Sequence, residues 1–143
     1  MIRRLLAGRS DRGSASLELA ILAPAVLLLL GALVFAGRVE TSSAAVEHAA
    51  RVAARDASLA RTADAARATA QTSAARELTG SDCVTSQVLV DPSGFTAPLG
   101  ADATVDVSVT CTVSVADLAI PGLPGTRTIT AQATSPLDRY RSR

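Results

Sequence analysis

The sequence predicts an α+β chain: a long N-terminal helix, membrane-spanning in its first half and alanine-rich in its second, packed on a small antiparallel sheet of about three strands. Three observations carry this expectation. Residues 19–36 read LAILAPAVLLLLGALVFA without a charge. Small apolar residues then recur at three- and four-residue steps over 39–60, the period of one helix face. Residues 103–115 alternate strictly between apolar and polar, the period of a strand with one buried and one wet face.

The apolar run comes first. At 1.5 Å per residue it spans about 27 Å, enough to cross the hydrocarbon layer once its flanks are added. Before it lies a basic leader, residues 1–13, in which Arg3, Arg4, Arg9 and Arg12 face Asp11 alone, so the leader carries +3 and the remainder −2 of a net charge of +1. Arginines on one side of an apolar run place that side in the cytoplasm, and everything after about Arg38 is expected outside. The balanced charge gives no footprint for nucleic acid. A secretory signal peptide has a shorter apolar core and a small-x-small cleavage site after it; here Val34-Phe35-Ala36 fits that site poorly. Pro24 lies inside the run, either as a kink that membrane helices tolerate or as a point of local opening.

Residues 38–80 form the alanine-rich half. Val39, Val46, Ala49, Ala50, Ala53, Ala57 and Ala60 share one face, with Glu40, Glu47, Arg51, Arg55, Ser58 and Arg61 largely elsewhere. The spacing predicts a continuation of the membrane helix, with a bend at Gly37 and a stop at Gly80. Glu47 and Arg51 stand i,i+4 in the favourable order, worth about 0.3 kcal/mol. His48, the single histidine, reads as a solvated surface residue.

The sheet region is 81–135. Its strands are expected at 83–90, 103–115 and 128–134, separated by turn-forming Asp91-Pro92-Ser93-Gly94 and Ile120-Pro121-Gly122-Leu123-Pro124-Gly125. With only Phe35, Phe95 and Tyr140 as aromatics and no tryptophan, the core must be built from Val, Leu, Ile and Ala. Cys83 and Cys111 both follow the apolar run. An exported domain would allow a disulfide between them, worth roughly 3 kcal/mol; buried free thiols are the alternative. Cys111 shares the phase of Val105, Val107, Val109, Val113 and Val115 and should point inward. The basic tail, residues 136–143, reads as a solvated end.

No reactive constellation emerges. One histidine cannot assemble a Ser/His/Asp or Cys/His arrangement, and Asp102, Asp106 and Asp117 are not at calcium-ligand spacing. No enzyme activity, cofactor or metal is therefore expected.

Glu18 stands at the apolar edge of Gly13-Ser14-Ala15-Ser16-Leu17-Glu18-Leu19. A carboxylate there is either an interfacial group that marks the helix end or one held for a specific partner. This pattern, a basic leader, glycine and then glutamate directly before an apolar run, resembles the signal of type IV pilins and pseudopilins. The resemblance implies cutting after Gly13 by a prepilin peptidase, with Ser14 the new N-terminus and Glu18 neutralising the N-terminal amine of a neighbouring subunit. Pilins often carry an aromatic where this chain has Ser14; pseudopilins of the tight-adherence (Tad) pilus system vary more there.

Over nearly the whole chain the sequence is similar to the TadE-like minor pseudopilins. Arg12 to Glu18, the apolar run, the Gly37-Arg38 boundary, Ala49-Ala50-Arg51, Ala53-Ala54-Arg55 and the closing TAQATSP segment (130–136) carry the likeness. It implies a non-catalytic, single-pass protein of the cytoplasmic membrane that assists assembly of a Tad-type pilus or related secretion apparatus. Its partners would be the peptidase, other pilin or pseudopilin subunits, the Tad assembly platform and membrane lipid. The competing reading is an uncleaved signal-anchor protein whose outer β domain binds a partner or the cell wall.

Overall fold

In the computed structural model the chain is described over residues 12–118 and 125–140. The first helix, α1, runs over Arg12–Ser58, unbroken through both Pro24 and Gly37. Residues 1–11 of the basic leader, most of the turn at 120–125 and the last three residues of the tail lie outside the described residues.

The alanine-rich stretch is two helices rather than one. α1 ends at Ser58, and α2 occupies Ala63–Glu77. The break has local causes. Ser58 Oγ donates back to the Arg55 carbonyl at 2.7 Å, and Thr62, in extended conformation, caps α2 by accepting from the Ala65 amide at 3.2 Å. Asp64 in the first turn adds a charge favoured at a helix N-terminus. Folding back lets Ala66, Ala70 and Ala74 of α2 lie against the alanines of α1, all fully buried. Without side chains beyond Cβ the two backbones can approach closely. α2 stops at Glu77 with Leu78 as its C-cap, and Gly80, at φ +84°, turns the chain out.

Three strands follow: β1 Cys83–Asp91, β2 Thr104–Ser114 and β3 Thr126–Pro136. They form one antiparallel sheet in the order β1-β2-β3, as the alternation and turns predict. Val105, Val107, Val109, Cys111 and Val113 point inward from β2, each at most 1% exposed. They meet Val46 and the alanine face of α1, so the core lies between one helix hairpin and one face of the sheet. The bend after β1 requires Gly94: a Cβ there would sit 2.1 Å from the Thr104 carbonyl oxygen and 3.1 Å from Leu137 Cδ1.

The C-terminal segment differs from the expected solvated end. Leu137 is buried in the core, its amide donates to the Ala103 carbonyl at 2.9 Å, and Arg139 pairs with Asp102 at 2.6 Å. β3 thus carries two residues further than its alternation suggests, because Leu137 continues the inward phase. The result is a domain with two poles. Ser58 Oγ lies 3.1 Å from Ser135 Oγ at the far end. At the near end, where α1 emerges from its apolar half, the starts of β1 and β3 and the end of β2 gather.

Candidate membrane and assembly site

One helix among the described residues is long and apolar enough to cross a membrane. Its most apolar 18-residue window, within Ser16–Ser58, has a mean hydropathy of 2.7 and none of it is buried. Leu17, Leu19, Ile21, Leu27, Leu29 and Leu33 are each more than 60% exposed. A surface of this kind is not stable against water and marks contact with lipid or with other helices. The chain is thus a candidate single-pass membrane protein.

Glu18 sits inside that surface between Leu17 and Leu19, each 67% exposed. It is itself exposed, and its side chain makes no hydrogen bond or ion pair among the described residues. Gly13 and Ser14 fall in the first turn of α1, one helical turn before Glu18. The structure therefore brings the three sequence-predicted residues onto adjoining turns at one end of the apolar helix, far from the sheet.

Cys83 and Cys111 are joined in a disulfide, with Cα atoms 5.6 Å apart. The bond ties the first residue of β1 to Cys111, three residues before the end of β2, beside an irregularity in pairing between Cys83 and Thr85. Cys111 is fully buried and in phase with the valines, so of the two readings of these cysteines the structure has the bonded one.

A second polar site lies where α1 leaves its apolar half, and sequence reasoning missed it. Arg38 Nη1 donates to both carboxylate oxygens of Asp117, at 2.8 Å each, and its Nε lies 3.9 Å from Asp82. The hydrogen bond to Asp117 and then the charge of that carboxylate raise the Arg38 pKa; burial opposes them, and the charge of Asp82 adds a lesser upward contribution. One guanidinium thus joins α1 to the turn before β1 and to the short 3-10 turn Ala116–Leu118 after β2. The arginine itself was visible as the first charge beyond the apolar run. Its partners, 44 and 79 residues later in the sequence, sit in turns that carry no periodic signal.

Several other charged side chains have partners of their own. Arg51 binds Glu47 at 2.5 Å, as the i,i+4 spacing predicts. His48 is exposed as expected, yet its Nε2 comes within 3.4 Å of Glu77 on α2. Asp56 accepts from buried Ser73 and lies 3.8 Å from Arg76, linking the two helices. Asp102, Asp106 and Asp117 are held apart, by Arg139, Thr134 and Arg38 respectively. Among the described residues no group of three or more His, Cys, Asp or Glu side chains comes together.

Compared with known protein families, residues 13–55 match the model of the TadE-like proteins. The match opens at Gly13 and closes inside α1, leaving α2 and the whole sheet outside it. Neither a curated protein nor a solved structure matches the chain.

Proposed function

We propose, from the TadE-like character of residues 13–55, that this chain is a non-catalytic minor pseudopilin assisting assembly of a Tad-type pilus or a related secretion apparatus. The family match supports a role connected with that pilus. The observation that carries the finer reading is the apolar half of α1, with none of its most apolar window buried and a single carboxylate, Glu18, set into its beginning. Helices of this kind pack side by side in a filament, and a carboxylate among leucines is costly unless a positive group meets it.

Cleavage after Gly13 would supply that group. The new amine at Ser14 lies four residues before Glu18, about 6 Å along the axis. Within one chain the two are a turn apart. Between chains, an amine level with a neighbour's Glu18 imposes a stagger of the same size, so the pair sets register as well as attraction. In the low dielectric between packed helices this attraction is much stronger than in water. The basic leader puts the cleavage site on the cytoplasmic side, where a membrane-embedded prepilin peptidase would work. The Cys83–Cys111 bond suits an outer domain in an oxidising compartment.

A second reading, an uncleaved signal anchor with a partner-binding outer domain, is favoured by one fact: the sheet and α2 lie outside the family match. Intact mass and N-terminal sequencing of the protein from native membranes separate the two. A start at Ser14 is expected. A start at Met1 would favour the anchor, and one near Gly37 would sink the pilin reading. Glu18→Ala should insert normally yet lose filament assembly; normal piliation would remove Glu18's role.

A further inference from the structure

α1 is continuous, but its weakest point and its strongest outside attachment coincide. Gly37 follows the last residue of the apolar run. A glycine in a helix interior costs about 1 kcal/mol relative to alanine, and such glycines are normally explained by packing. Here packing explains nothing, since a Cβ on Gly37 would meet no atom within 4 Å. The turn above is loosened further. Thr41 Oγ1 donates to the Gly37 carbonyl at 3.1 Å and to the Arg38 carbonyl at 3.0 Å, a back-bond that bends helices. Glycines paired with such hydroxyl residues are a recognised cause of helix bends.

Across this point the domain grips the helix twice. Above it, Arg38 is held by Asp117 and Asp82 from the turns before β1 and after β2. Below it, Phe35, still within the apolar run, packs against the domain core. Of the two grips, only the Phe35 contact joins the apolar half to the domain across Gly37.

We propose that Gly37 is a hinge between the apolar half of α1 and the outer domain, that the Arg38–Asp117–Asp82 cluster fixes the upper side of this hinge to the domain, and that Phe35 is the clamp that holds it straight. Phe35 is only partly buried against the core. A hinge needs little, because the straight and bent helices differ by the strain of one turn and not by the burial of a core. The clamp therefore decides whether a rotation of the membrane helix is transmitted to the domain, with the fold unchanged. This inference stands apart from the pilus reading and requires only that the apolar half is in a membrane.

The test is a spin-label distance measurement on the full chain in phosphatidylcholine vesicles. Labels are placed at Leu27→Cys, in the apolar half, and at Thr130→Cys, on the outer sheet face; oxidised Cys83 and Cys111 do not react. A single narrow distance distribution is expected for this background. Phe35→Ala should broaden it about twofold, a bend of microsecond-to-millisecond character, with the disulfide kept, whereas Arg38→Ala should leave it narrow, since Arg38 lies beyond the hinge. Adding Gly37→Ala to Phe35→Ala should narrow it again, although the Phe35 contact stays lost. An unchanged width in Phe35→Ala would overturn the clamp. A distribution that stays broad in the double variant would overturn the hinge.

Discussion

The two halves of α1 share one backbone and present opposite surfaces. In the apolar half the large side chains point outward, with Leu27 at 68% and Leu29 at 61% exposed, and none of its most apolar window is buried among the described residues. In the distal half the buried face is mostly alanine, with Ala49, Ala50, Ala53 and Ala57 fully buried against α2 and the sheet beside the one larger residue Val46. A leucine-rich helix surface gains by removal from water whatever covers it, so lipid or a neighbouring helix will serve. An alanine face gains little area per residue and depends on close approach, so only one partner shape fits. The first half is therefore general in what it contacts, and the second is specific. Changes in the first should alter where the protein goes, and changes in the second should alter whether its domain holds together.

The sharpest break of that contrast is a charge in the apolar half. Leu28→Arg, near the middle of the run, should oppose insertion by about 3 kcal/mol. Most of the protein should then fail to fractionate with membranes, while any domain recovered retains its disulfide. Wild-type membrane recovery of this variant would mean that the exposed leucines are not the lipid contact. Of comparable size, but on the other side of the comparison, is the Cys83→Ser/Cys111→Ser pair. Removing the cross-link should lower domain stability by about 3 kcal/mol, read as a lower thermal midpoint in detergent, with membrane recovery unchanged. A midpoint equal to wild type would mean that the valine core alone suffices.

The contrast also marks how far residues alone could be read. The apolar run is legible because lipid demands only length and absence of charge. β2 is legible because strict alternation fixes one buried face, and Cys111 could be placed inward from its phase alone. The helix break at 59–62 was not legible, because alanine periodicity continues on both sides of it; only Thr62 with Asp64 marks a new N-terminus, and that signal is short. Leu137 escaped notice as a core residue because Pro136 and the arginines around it read as an end. At the candidate site, Gly13, Ser14 and Glu18 are one contiguous motif and so were found together. Arg38 was legible only as half a pair, since Asp82 and Asp117 reach it through turns whose positions depend on the whole fold.

Smaller changes sharpen the comparison within the distal half. Ala53→Leu forces methylenes between packed backbones and should cost about 2 kcal/mol, whereas Leu28→Ala should leave the domain midpoint where it is. Gly94→Ala should cost a similar or slightly smaller amount, about 1–2 kcal/mol, because the added Cβ would collide with backbone at Thr104 that cannot swing aside. If Ala53→Leu were neutral, the alanine face would not be a close-approach surface, and the specificity assigned to the distal half would fail.

The smallest effect belongs to the surface of that same half. Glu47 and Arg51 are both more than half exposed and bonded at 2.5 Å, so Glu47→Ala should lower the midpoint by an amount equivalent to about 0.3 kcal/mol, and less in high salt. A loss several times larger would mean that Glu47 acts on more than Arg51. The neighbouring His48–Glu77 contact between α1 and α2 would then be the first place to look, since both residues lie where the helices meet. A double variant, Glu47→Ala with Glu77→Gln, resolves it. Additive losses keep the two contacts independent, and a shortfall from additivity ties the outer surface of α1 to the helix interface beneath it.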